Sequence, residues 1–73
     1  MKRTKLVKAR LALGLTQANV AKKANVSYLV IWILETKGSI PRPKNIPPLA
    51  DAYKIPVNEF IEILYEEKDE EDD

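Results

Sequence analysis

The chain has 73 residues, enough for one domain with a small core close to the lower limit for folding without staples. It contains no cysteine and no histidine. That excludes a disulfide framework, a zinc knuckle and thiol chemistry and removes the commonest metal ligand and general base, so no metal, cofactor or enzymatic activity is expected and the composition suits a reducing cytoplasm.

Met1, Lys2 and Arg3 lead into Leu6 and Val7, but Lys8 and Arg10 interrupt the apolar run, so neither a signal peptide nor a membrane-spanning helix is expected. Leu6, Arg10 and Leu13, with Val7 and Ala9 beside them, have the spacing of a first helix over about residues 4–13, and Gly14 stands where a left-handed residue ends it. Leu15 then turns back into the core. Thr16 is a good N-cap for a second helix over 17–24, with Val20, Ala21 and Ala24 facing inward. Asn19 occupies the place of the usual Glu or Gln of a capping box, which predicts a cap only half built. Asn25 tolerates positive φ, Val26 plugs the turn, and Ser27 caps a third helix reaching Glu35, so the pair has helix-turn-helix spacing.

Beyond Glu35, Lys37 and Gly38 end the helix, and Pro41 and Pro43 favour an extended loop. Asn45 can cap a fourth helix with Pro47 and Pro48 in its first turn and Leu49, Ala50 and Tyr53 on its apolar face. Ile55 closes that turn, and Pro56 opens a fifth helix in which Val57, Phe60, Ile61 and Leu64 follow the i, i+3, i+4, i+7 pattern. There are no internal repeats and no useful strand-like alternation. The expected fold is all-α, a compact five-helix domain over residues 1–65 followed by an acidic tail, 66–73.

Charge is distributed unevenly along this chain. Residues 1–34 contain seven Lys or Arg and no acid, whereas residues 66–73 hold seven acids against Lys68; the first 65 residues therefore carry eleven bases and four acids, a net of +7, inside a formal total of +1. A basic body suits a polyanionic partner. A like-charged block usually stays disordered and solvated; the functional alternative is a mimic of nucleic acid that folds back on the basic face. Gly14 and Gly38 are the only glycines, so no phosphate-cradling loop can be written.

The third helix is the most informative element. Placing Ile31 and Leu34 inward sends Leu29, Trp32 and Ile33 towards solvent and leaves Tyr28 and Val30 on the flanks. A helix that is apolar all round is buried or lies against something. Trp32 and Val30 can fold onto neighbouring helices and enlarge the core, but that does not absorb Leu29 and Ile33. A contiguous exposed patch of Tyr, Leu, Trp and Ile has the composition of a protein-interface centre.

Gly14-Leu15-Thr16-Gln17, Ala21, Val26-Ser27, Ile31, Leu34-Glu35, Pro41, Leu49-Ala50, Val57 and Glu59-Phe60 stand in nearly the order and spacing of a known family. The chain resembles the lambda-repressor-like, Cro/CI-type helix-turn-helix domains over about residues 3–64. Arg42-Pro43, Ile46-Pro47 and Leu49-Ala50 are most similar to the small lambdoid phage repressors. The resemblance implies a five-helix DNA-binding domain, usually dimeric on its operator, whose third helix enters the major groove. It further implies an ion pair between Arg10 and Glu35 and a phosphate contact from Gln17; were DNA the partner, Gln17, Lys37, Arg42 and Lys44 are the residues expected at its backbone. The reading positions depart from the family: Tyr28, Leu29, Trp32 and Ile33 replace side chains that make bidentate hydrogen bonds to bases. Gly38 also comes one residue later than the family's glycine, and Lys54 stands where glycine often ends the fourth helix.

The sequence is therefore read as a non-catalytic binding module on a repressor-like scaffold, diverged or redesigned so that Tyr28, Leu29, Val30, Trp32 and Ile33 bind a protein partner, a second copy of the chain being one such partner. The alternative is a sequence-specific regulator that binds double-stranded DNA. Neither a membrane nor a small-molecule ligand is expected.

Overall fold

The computed structural model describes residues 3–67. They form five α-helices: α1 (Thr4–Ala12), α2 (Gln17–Ala24), α3 (Tyr28–Thr36), α4 (Ile46–Ala52) and α5 (Val57–Glu66), with one 3₁₀ turn, Pro43–Asn45, leading into α4. No strand occurs among the described residues. The protein is all-α. No helix among these residues is long and apolar enough to cross a membrane.

Three of the helices end by the same device. A residue with positive φ (Gly14 at 71°, Asn25 at 59°, Lys54 at 60°) reverses the chain. The amide of the following apolar residue then reaches back into the last turn: Leu15 N to Arg10 O at 3.1 Å, Val26 N to Ala21 O at 3.0 Å, Ile55 N to Ala50 O at 3.0 Å. This is Schellman closure, in which otherwise unsatisfied carbonyls gain donors and the residue after the reversal packs inward. Leu15, Val26 and Ile55 are all partly buried against the core. The helix ends thus fix where the next helix starts.

The core gathers Leu6 from α1, Val20, Ala21 and Ala24 from α2, Ile31 and Leu34 from α3, Leu49, Ala50 and Ala52 from α4, and Phe60, Ile63 and Leu64 from α5, with Tyr53 among them. Three expected inward positions differ. Leu13 is exposed because α1 stops at Ala12, so Leu13 lies beyond the helical wheel and Leu15 packs in its stead. In α5 the inward stripe is Phe60, Ile63 and Leu64, which leaves Val57 and Ile61 exposed. Both stripes satisfy helical spacing; the rotation of α5 about its axis chooses between them.

The α2 cap is complete rather than half built. Asn19 N donates to Thr16 Oγ1 and Thr16 N donates to Asn19 Oδ1, both at 3.0 Å. Asparagine is long enough here to do what Glu or Gln does in the usual box. Ser27 and Asn45 sit at the N-caps of α3 and α4 but make no side-chain capping bond. At the other end of the chain α5 runs through Glu66, one residue past the expected domain boundary. The tail expected to be disordered lies, after Glu67, outside the described residues.

Candidate functional site

Glu35 is the junction of the domain. It is 1% exposed, and its carboxylate accepts hydrogen bonds from three elements. Arg10 of α1 donates through Nε to Oε2 at 2.8 Å and through Nη2 to Oε1 at 3.0 Å; Gln17 of α2 donates from Nε2 to Oε1 at 3.0 Å; the Tyr53 hydroxyl, just after α4, donates to Oε2 at 2.6 Å. Burial works to raise the Glu35 pKa, but the donors from Arg10, Tyr53 and Gln17 outweigh it and hold the carboxyl below its ordinary value. Burial and the Glu35 hydrogen bond together push the Tyr53 phenol up. Gln17, expected at a phosphate, is directed into the domain, because a buried carboxylate with a free lone pair is the stronger acceptor close to it.

A second junction was not legible in the sequence. Arg3, read only as one more base, is fully buried. Its Nη1 donates to Leu34 O at 2.9 Å and Ser39 O at 2.6 Å, and its Nη2 to Gly38 O at 3.0 Å and Leu64 O at 2.8 Å. Its backbone amide donates to Glu35 O at 2.8 Å. One guanidinium thereby ties the start of α1 to the end of α3, the following loop and the last turn of α5. Gly38 is buried in this junction with φ 70°, a conformation that a side chain would strain.

These two junctions hold α3 in place, and its outer surface is divided. Tyr28 and Leu29 are well exposed, at 52% and 57%. Trp32 is 37% exposed, and Lys37 Nζ lies 5.5 Å from its ring centroid, a cation–π contact that covers part of the indole. Val30 and Ile33 are only partly exposed. They line an open pocket of about 390 Å³ with Leu34, Ser39, Ile40, Pro41, Arg42 and Asn45. Ile33, expected to face solvent, is thus half-buried, because the Ser39 to Arg42 loop returns alongside α3. The five apolar residues do not form one protruding ridge.

The charge arrangement is simpler. Glu35 is the only carboxylate in residues 1–50, and it is buried and neutralised. Every exposed charge from Thr4 to Ala50 is consequently positive: Lys5, Lys8, Lys22, Lys23, Lys37, Arg42 and Lys44. Among the described residues no group of three His, Cys, Asp or Glu could hold a metal ion. Compared with protein-family models, with curated proteins and with solved structures, the chain matches none.

Proposed function

We propose that the domain binds double-stranded DNA, drawing its affinity from phosphate contacts and little of it from base readout. The observation that carries this reading is the absence of any exposed carboxylate between Thr4 and Ala50, while seven cations stand on the surface of the same span, one of which, Lys5, pairs with Glu66 of α5. Such a surface attracts a polyanion and releases its counterions on binding. The fixed α2–α3 pair, linked through Gln17 and Glu35, fits the helix-turn-helix reading of the sequence, in which α3 approaches the major groove. Tyr28, Leu29 and Trp32 on that helix reach thymine methyl groups and offer one polar group each at Tyr28 and Trp32, so discrimination between sequences is weak.

A protein partner is the second reading, favoured by the exposure of Tyr28 and Leu29 beside Trp32. It ranks behind DNA because Val30 and Ile33 are seated against the loop and Lys37 shields the indole, which reduces the anchor set that would fill a partner's pocket. Fluorescence anisotropy with a mixed-sequence duplex, run beside light scattering of the protein alone, separates the two. DNA binding with a specific-to-nonspecific affinity ratio below about a thousand supports the first reading. A dimer that forms without DNA and loses its stability in Leu29→Asp, with no duplex binding by either chain, supports the second.

A further inference from the structure

α5 ends beside the start of α1 and the loop that follows α3, next to cations assigned above to DNA. The Arg3 guanidinium holds Leu64 O of α5 and the carbonyls of Gly38 and Ser39 simultaneously, at 2.8, 3.0 and 2.6 Å. The last turn of α5 therefore runs next to the loop that follows α3, with Lys37 immediately before Gly38 and Arg42 three residues after Ser39. Residues 68–73 span about 20 Å when extended. The protein measures 34 × 21 × 20 Å, so the segment's extended length is comparable with its two shorter dimensions.

The last residues described, Glu66 and Glu67, bond to the start of α1. Lys5 Nζ pairs with Glu66 Oε1 at 2.8 Å. Glu67 Oε2 accepts from the Thr4 hydroxyl at 3.1 Å and Oε1 from the Lys5 amide at 3.2 Å. Glu67 thus supplies the N-terminus of α1 with an acceptor that its own N-cap, Arg3, does not provide, at the end of the helix that favours negative charge. Charge is matched as well: residues 66–73 carry seven acids and Lys68, a net of −6, against +7 for the remainder, giving the total of +1.

We propose that residues 66–73 are an intramolecular competitor: the acidic segment docks on Lys5, Lys37 and Arg42 and holds duplex DNA off the domain. The proposal rests on the DNA reading above. Exposed ion pairs are individually weak, but a tethered segment acts at an effective concentration of about a millimolar. Several such pairs together compete with phosphate at low ionic strength and are screened at high. The occupant is this chain's own segment because it follows the turn of α5 that shares the Arg3 guanidinium with Gly38, has the complementary sign, and its first two acids bond to α1.

The test compares the full chain with a full-length variant neutralised at Asp69→Asn, Glu70→Gln, Glu71→Gln, Asp72→Asn and Asp73→Asn. Without DNA, the backbone amide resonances of Lys37, Gly38 and Arg42 should differ between the two proteins at about 50 mM salt and converge at about 500 mM. With a mixed-sequence duplex, the neutralised chain should bind at least about fivefold tighter at low salt, with a steeper salt dependence because more counterions are released. Unmoved amides, or equal affinities where both chains bind, overturn the proposal. If neither chain binds duplex, the DNA reading falls and the competition falls with it, while the amide shifts still decide whether the segment docks.

Discussion

Glu35 is a buried charge that needs all of its donors. Removing one partner of such a carboxylate leaves it desolvated and underbonded, so Arg10→Met should lower unfolding stability by on the order of 1 to 3 kcal/mol, read by urea titration. The pH dependence has a defined sign. Folded Glu35 has a pKa below its ordinary 4.5, so the unfolded chain holds that proton more tightly. Its contribution is complete above about 4.5 and is lost as the pH falls through the depressed folded value. Tyr53, whose pKa is raised above its ordinary 10.0, contributes fully below about 10, and that contribution is lost as the pH climbs beyond it. Glu35→Gln should be less stable at neutral pH yet lose less of its stability on acidification than the parent; an identical acid profile would remove Glu35 from the account.

Arg3 makes a different demand at the same scale. Its partners are four backbone carbonyls rather than a carboxylate, which is why the sequence carried no signal for it: an arginine near the start of a basic chain is ordinarily solvated. Arg3→Lys keeps the charge but loses the planar fork that spans four acceptors. That variant should be destabilised by roughly 2 kcal/mol or more, since several buried carbonyls lose their donor. Stability equal to the parent's would show that charge alone is required.

Among the elements, legibility followed the distance over which each feature is determined. α2 was readable to its ends because Thr16, Asn25 and the Val20, Ala21, Ala24 stripe are all local, although the reciprocity of the Thr16–Asn19 cap was underestimated. The inward stripe of α5 was not, because Phe60, Ile61, Ile63 and Leu64 permit two rotations and only packing selects one. The same limit applied to Ile33, whose surroundings depend on a loop returning from Ser39 to Arg42. The Tyr53 hydroxyl was likewise missed, since a tyrosine on an apolar stripe shows its ring and not its acceptor.

Helix ends and faces make two further predictions. Lys54 adopts φ 60°, a left-handed conformation that costs an L-residue about 1 kcal/mol relative to glycine. Lys54→Gly should therefore raise stability by up to about 1 kcal/mol, while a decrease would mean that the lysine side chain supports the turn. On α3, Leu29→Asp should leave stability within about 0.5 kcal/mol because Leu29 is exposed. Ile33→Asp should cost more than about 1 kcal/mol because it replaces a half-buried apolar side chain, in a pocket it shares with Val30, Leu34, Ile40 and Pro41, by a carboxylate. Equal thermal shifts for the two variants would contradict the division of this face.

For the whole molecule the decisive property is the segregation of charge along the chain: no exposed acid from Thr4 through Ala50, and acids concentrated from Asp51 onward, of which Glu66 pairs with Lys5. The central claim, that this surface exists to hold a nucleic-acid duplex by its phosphates, is tested most directly by the affinity of the full chain for one mixed-sequence duplex as salt is varied. If three or more of the exposed cations engage phosphates, log K should fall against log salt with a slope of about −3 or steeper. Charge reversal at Lys22→Glu with Lys23→Glu should weaken binding and flatten that slope. A slope near zero, or no duplex binding at about 50 mM salt by either the full chain or the variant neutralised at residues 69–73, would contradict the account.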